Sequence, residues 1–449
     1  MKPWQILIQI REKLQQPSTL SVLVRGAIAA LAIQLSSVGI AYLLQLLLAQ
    51  WMGVDEYGVY EYAIAIGTVL AFAAGMGFSD AVLRFVSEYT VKQDWAHLRG
   101  IIWASWGQTL AVGLAISSLG TGLVLWISTW HDLENVTAIV LGIWTVPTFA
   151  LAKLQLEIAR GVRQIMLAYV PSLIVYPLLL IGGAYFWFQE QNHLTSVNAI
   201  ALSLLFQPII LTVQLQLIRL ELAPKISRIR PAYALRQWLF VSLPLLFING
   251  SHIILNQTDT LTIGAIMGTR EVGIYNAAFK TASWVNFSLV SVNAIAAPLF
   301  ASLYAKGDLQ GLQRLVSTIA RWIFLPALIV AIGLIQFAEP ILGLFGAEFI
   351  AAKWVMAALA FGQLVNVGAG SVGYLLIMTG HHNQCAYVMG FSALGNLILN
   401  LIWIPQIGIL GAALATSLSM ALWNIWMNRL VVKYLGVDPS IMAALKSPS

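Results

Sequence analysis

The chain has 449 residues, of which 59% are hydrophobic and only 9% charged, with a mean hydropathy of +0.82. That much apolar side chain cannot be arranged around one aqueous core, which excludes a soluble enzyme or nucleic-acid-binding module and predicts an all-α polytopic membrane protein. The formal net charge of +6 is then a signal of membrane topology.

Residues 3 to 16 read as a basic amphipathic helix on the inner leaflet, broken by Pro17 and capped by Ser18. The run from Trp4 to Ile10 meets Arg11, Glu12 and Lys13 without a small-residue cleavage site, so no cleavable signal peptide is expected. Stretches able to cross about 30 Å of hydrocarbon follow at roughly 22–48, 59–83, 101–127, 136–156, 167–188, 197–218, 238–266, 272–300, 318–344, 350–378, 386–405 and 408–430. They are continuous, not alternating, so they predict twelve transmembrane helices and no barrel strands. With both termini cytoplasmic, every Lys and Arg falls on the inner side except Arg270 and Lys353, which lie outside, and Lys280, which lies within a span. The expected division is a cytoplasmic N-terminal segment (1–21), a first six-helix lobe (22–221), a cytoplasmic linker (222–236) containing Pro224 and Pro231, a second lobe (237–432) and a cytoplasmic tail (433–449).

The two halves repeat each other. Met52-Gly53-Val54-Asp55-Glu56-Tyr57-Gly58-Val59-Tyr60 returns about 215 residues later as Met267-Gly268-Thr269-Arg270-Glu271-Val272-Gly273-Ile274-Tyr275, and Phe85 to Tyr89 aligns in the same register with Phe300 to Tyr304. Such a self-match points to a transporter with its site between the halves. Six helices per half makes the repeat parallel, so the halves are expected to be related by a near two-fold axis along the membrane normal.

Polar residues inside spans mark the candidate site. Asn249, His252, Asn256 and Asp259 share one face of helix 7, and the positions 215 earlier include Gln34, with Gln45 aligned to Thr260. On helix 8, Asn276, Lys280 and Ser283 share a face, with Asn286 and Asn293 slightly round the cylinder. Such stripes must face protein or a water-filled cavity. The expected cavity residues are therefore Gln34, Gln45, Asn249, His252, Asn256, Asp259, Asn276 and Lys280. Asp259 and Lys280 lie at similar depth below one outer loop and are expected to pair. Asp80 and Arg84, four apart after Glu61 on helix 2, mark the cytoplasmic mouth, where they either pair with each other or meet an entering lipid diphosphate. Asn396 and Asn400 are expected to bond across helices, and Gly408, Gly411, Ala412, Ala415 and Ser419 to allow close helix packing. Pro147, Pro171, Pro177, Pro208, Pro244, Pro298 and Pro326 are candidate bends.

Other chemistry is unsupported by the residues. Cys385 is the single cysteine, so no internal disulfide forms. The adjacent His381 and His382 have no companion ligands, and neither a metal site nor a catalytic residue is expected. No Gly-rich Lys-Ser/Thr loop is present, so the energy source is an ion gradient (H+ or Na+), the membrane potential or the substrate gradient.

The Gly-x-x-x-x-Gly-x-Tyr pattern after helices 1 and 7, the helix 2 exit Gly77-Phe78-Ser79-Asp80-Ala81-Val82-Leu83-Arg84-Phe85, the segment Ile341-Leu342-Gly343-Leu344-Phe345-Gly346, and Asn396 to Ser419 around Ile404-Pro405-Gln406-Ile407-Gly408 resemble the polysaccharide-transporter flippases, a family similar in fold to multidrug and toxin extrusion (MATE) transporters. The resemblance covers nearly the whole chain. It implies a V-shaped, MATE-like pair of lobes in the bacterial plasma membrane that moves an undecaprenyl-linked oligosaccharide or related glycolipid from the cytoplasmic to the periplasmic leaflet by alternating access. It also implies lipid-linked glycan and membrane lipids as partners, with other glycan-assembly membrane proteins beside it, and no nucleic acid. The alternative is an ion-coupled multidrug exporter of the same fold. Lipid II flipping is disfavoured by Leu44-Gln45, where an Arg-Asp pair is expected. A major-facilitator transporter lacks support in the helix 2–3 loop, and a glycan polymerase or ligase lacks its long outward loop.

Overall fold

The structure is a computed structural model that describes residues 19–132, 134–226 and 229–446. The expected amphipathic segment 3–16 and its breakers Pro17 and Ser18 lie outside the described residues, as does Arg228 of the linker. The described chain is helical: α1 (Thr19–Gly75), α2 (Phe78–Lys92), α3 (Trp95–Ser128), α4 (Val136–Trp144), α5 (Val146–Gly161), α6 (Ile165–Val170), α7 (Tyr176–Gln191), α8 (Ser196–Ile226), α9 (Leu235–Ile266), α10 (Thr269–Ala282), α11 (Phe287–Ala305), α12 (Leu309–Gln336), α13 (Ala338–Gly343), α14 (Lys353–Ala369), α15 (Val372–Met378), α16 (His382–Ile407), α17 (Ile409–Leu435) and α18 (Ile441–Lys446). The predicted stretches are mostly helical, but 59–83 is interrupted at 76–77, 318–344 at 337 and 350–378 at 370–371. Among the described residues, nine helices are long and apolar enough to cross a membrane, or ten if the bent pair Thr269–Asn293 and Ile295–Ala305 is one span.

Several predicted spans are broken. α1 contains Gly53 at φ 75°, ψ 173°, so it is two helices joined at a sharp break. Its repeat equivalent, Gly268, has φ 104°, ψ 173° at the start of α10. A side chain at either position disfavours that left-handed backbone, which explains why both copies of the repeat carry glycine. The second helix of α1 thus starts at Val54, earlier than the apolar run suggested, and ends at Gly75, with Met76 and Gly77 forming the turn before α2. Between α6 and α7, Pro171–Val175 forms a π-helical turn, and Ser283–Asn286 between α10 and α11 is 3-10. Pro147, Pro171 and Pro177 occupy first-turn positions, where a missing N–H is not needed. Pro208, Pro298 and Pro326 remain inside helices.

The repeat meets itself in space. A Cβ on Gly58 would lie 1.9 Å from the carbonyl oxygen of Thr269, and one on Gly273 would lie 2.7 Å from that of Val54. Gly273 is Gly58 shifted by one repeat and Thr269 is Val54 shifted likewise, so the contact is reciprocal, as in an isologous interface. The residues above it, Asp55 and Arg270, are also equivalents and form an ion pair at 2.8 Å, with Glu348 on the other Arg270 nitrogen at 2.6 Å. Backbone-to-backbone approach of this kind is what small residues supply in lipid.

The opposite end also joins the halves, through different residues. Trp238, at the start of α9, is fully buried among Phe78, Phe85 and Leu154 of the first half and donates to the Tyr89 hydroxyl at 3.0 Å. The linker docks on α3, where the Ala232 N–H donates to the Ala96 carbonyl and Arg99 donates to that of Ile229. In the second half, a Cβ on Gly411 would sit 2.5 Å from the Trp403 carbonyl, and Ala412, Ala415 and Ser419 are buried, which bears out their reading as packing residues.

Candidate functional site

Between the two ends lie two cavities at the junction of the halves. The larger, about 450 Å3, is lined by Tyr42 and Gln45 of α1 and by Lys280, Ser283, Trp284 and Asn286 from α10 and the turn after it. Tyr57, one turn into the second helix of α1, donates to the Gln45 side chain at 3.0 Å and fixes it in the wall. Tyr42 bonds Thr281 at 3.1 Å and meets the Trp284 ring edge-on. Lys280 is the only charged residue among those lining this cavity. Its ammonium lies 2.6 Å from Glu61 and 5.9 Å from the centre of the Tyr57 ring. Glu61 is buried and comes from the other half, so one ion pair bridges the halves at mid-span.

The smaller cavity, about 200 Å3, is lined by Thr68, Phe72, Asp80, Phe149, Lys153 and Ile253, among others. Asp80 stands in the first turn of α2, where a carboxylate complements the helix dipole. It accepts a 2.7 Å hydrogen bond from Asn249 of α9 and lies 3.6 Å from Lys153 of α5. Arg84 does not pair with it. Arg84 is exposed and lies over the Phe85 ring, while the Asp80 carboxylate is taken by Asn249 and Lys153 from neighbouring helices.

The expected pair between Asp259 and Lys280 is not formed. Asp259 is buried and accepts from the Tyr275 hydroxyl, from Asn400 at 2.7 Å and from Thr416 at 2.6 Å. The helix faces explain the difference: Tyr275 reaches Asp259, and Lys280, five residues on, is turned about 140° further round α10 toward Glu61. Asn396 accepts from Asn400 and donates to Thr416, so the expected cross-helix bonding of Asn396 and Asn400 is present. The Asn400 carbonyl oxygen is buried without a hydrogen-bond partner. The cluster therefore presents several oxygens and, among the described residues, has no cation in it.

The remaining sequence candidates are distributed around these sites. Asn276 is buried and bonded to Thr260 and the Val272 carbonyl, inside the contact between α9 and α10. His252 and Asn256 are exposed and bond to each other at 2.7 Å. Gln34 is half-buried, and its carbonyl accepts from Ser37. Gln45 and Lys280 are thus brought together at one cavity, and Asp80 lines the other with Asn249 bonded to it from α9. Glu61 and Lys153 were not among the expected site residues. The available signal is charge inside an apolar segment: Glu61 lies near the start of the 59–83 run, and the break at Gly53 moves the helix start back to Val54 and places Glu61 two turns inside it. His381 stacks on Tyr434, and no group of three metal-binding side chains occurs among the described residues.

Comparison with known proteins gives a consistent picture. The polysaccharide biosynthesis protein family matches residues 23–304, and the MatE family matches 244–402. A probable low-salt glycan biosynthesis flippase, Agl15 of Haloferax volcanii, is 29% identical over 167 residues, covering 36% of this chain and 35% of that protein. The matched region is thus about a third of that relative's length. An uncharacterised membrane protein of Methanocaldococcus jannaschii is 21% identical over 87% of this chain and 81% of its own. Among solved structures, an inward-facing multidrug resistance MATE transporter of the MOP superfamily aligns with a TM-score of 0.73 at 13% identity, over 94% of this chain and all of that one. The lipid II flippase MurJ, inward closed, aligns with a TM-score of 0.71 at 14% identity, over 90% and 87%. The chain is a multi-pass membrane protein that belongs to the polysaccharide biosynthesis protein family, on the fold of the MATE transporters of the MOP superfamily.

Proposed function

We propose that the protein is a flippase that moves an undecaprenyl-linked oligosaccharide or related glycolipid from the cytoplasmic to the periplasmic leaflet of the plasma membrane by alternating access, without covalent chemistry. The supporting observation is the cavity whose one charged wall residue, Lys280, is contributed by one half and held by Glu61 of the other. A diphosphate offers Lys280 a stronger anionic partner than one carboxylate, and the amides of Gln45 and Asn286 match sugar hydroxyls. Substrate entry then exchanges the Glu61 contact for a substrate contact and removes a bond between the halves. That gives the substrate different affinities for closed and open states, which any ligand-driven transition requires.

In this reading the chain has twelve spans in two six-helix lobes, 22–221 and 237–432, with a linker at 222–236 and cytoplasmic termini. The Asp55–Arg270 end is the outer gate, and the Asp80–Asn249–Trp238 end is the cytoplasmic one. Gln34, His252 and Asn256 then belong to the lobe surfaces uncovered in one phase of the cycle, and Asn276 ties α9 to α10 within the second lobe. Asp259 is the coupling site. A carboxylate buried among neutral donors, beside an unpartnered Asn400 oxygen, is relieved by a bound proton or Na+.

The Asp259 cluster and the aromatic wall of Tyr42 and Trp284 also suit the alternative, an ion-coupled multidrug exporter. Reconstitution in vesicles separates the two. The flippase reading expects leaflet exchange of a fluorescent polyprenyl-diphosphate glycan that Lys280→Gln abolishes, with ion dependence lost in Asp259→Asn. Efflux of lipophilic cations with no glycan movement would reject it.

A further inference from the structure

Away from the junction of the halves, a cleft of about 720 Å3 lies among α12, α14, α17 and the short α18. Its sides are apolar, with Phe324 and Leu364 among them, and its lining also includes Asn428, Arg429, Asp438 and Lys446. The floor is tightly built. Asp438 accepts from the Asn428 amide at 3.0 Å and from the Ser440 N–H at 2.9 Å, and Gln313 binds both the N–H and the carbonyl of residue 438. Arg321 holds α18 by donating to the Ala444 carbonyl at 3.1 Å.

Asn428 and Ser440 occupy one oxygen of the Asp438 carboxylate, and Arg429 and Lys446 have no ion pair within 4 Å among the described residues. Two cations against one carboxylate keep the cleft positive. Ile425, Met442 and Leu445 are exposed around it, at 49%, 75% and 74% of their surface, so the rim of the mouth is apolar. A ligand complementary to this surface carries an anion for the two cations and acyl chains for the rim. A free phosphate meets only the first requirement.

We propose that this cleft binds the phosphate-bearing headgroup of an anionic bilayer phospholipid, with its acyl chains along the exposed rim. Basic pockets between spanning helices recognise such headgroups. The site is separate from the substrate cavity and stands whether or not the flippase reading does.

The test uses the full-length protein in detergent, titrated with phosphatidylglycerol, phosphatidylcholine or inorganic phosphate, and reads the thermal unfolding midpoint together with retained lipid by native mass spectrometry. Phosphatidylglycerol should be retained and raise the midpoint, and the other two should not. Arg429→Gln with Lys446→Gln should weaken that response about 25-fold, at about fivefold per cation, whereas Arg429→Lys should preserve it. An undiminished phosphatidylglycerol response in the double variant overturns the proposal. So does an equal response to inorganic phosphate, or displacement of phosphatidylglycerol by a polyprenyl diphosphate, which would make the cleft a substrate subsite.

Discussion

The Glu61–Lys280 pair gives the sharpest prediction because it is one contact, between the halves, with a separable electrostatic cost. At 2.6 Å and an effective dielectric constant of about 20, the gross attraction is about 6 kcal/mol. Burial opposes this, since each ion loses several kcal/mol of hydration on leaving water. Glu61 keeps only 8% of its side chain exposed and Lys280 keeps 25%, so the penalty falls more heavily on the carboxylate. Removing the partner of a buried ion costs about 3–5 kcal/mol, whereas removing both leaves no unpaired charge. Lys280→Met should therefore destabilise the protein by about 3–4 kcal/mol, Glu61→Gln by rather less because Lys280 retains some solvent, and the double variant by only about 1 kcal/mol. With Glu61→Gln at about 1–2 kcal/mol, the coupling energy from unfolding of the four proteins in detergent should reach about 3–5 kcal/mol. Additive single effects, with a coupling near zero, would refute the argument that this pair carries the charge balance of the cavity.

Two further outcomes follow from the geometry. Gly58→Ala places a Cβ 1.9 Å from the Thr269 carbonyl oxygen, a clash with backbone that forces the two tips apart. It should raise labelling of a cysteine introduced at the buried Val54 by a water-soluble reagent, and should cost more than Gly53→Ala, whose Cβ meets nothing within 4 Å and whose penalty of about 1–3 kcal/mol is backbone strain alone. At the other extreme, burial pushes the Asp438 carboxyl up, but hydrogen bonds from Asn428 and Ser440 outweigh it and hold the carboxyl below its usual 3.8. Its contribution is therefore complete above that value and lost as pH falls below it, so proteolysis at α18 should increase on acidification in the native protein and be pH-independent in Asp438→Asn.

Composition alone determined the solvent and the secondary structure: a chain this apolar must satisfy its backbone internally, and long continuous apolar runs do so as helices. The repeat was equally legible, and the equivalence of Gly53 with Gly268 and of Gly58 with Gly273 carried over directly into backbone shape and reciprocal packing. Helical periodicity also sorted the right residues onto shared faces, as with Asn396 and Asn400. Partner choice was decided by the tertiary structure. Depth in a helix follows from residue count, so Asp259 and Lys280 were expected to meet. Which neighbour a side chain faces depends on how each helix is rotated against the others, and that is set by contacts from helices distant in sequence. α10 is rotated so that Tyr275 seals Asp259 within the second half and Lys280 crosses to Glu61, a residue whose interior position became visible only once the chain broke at Gly53.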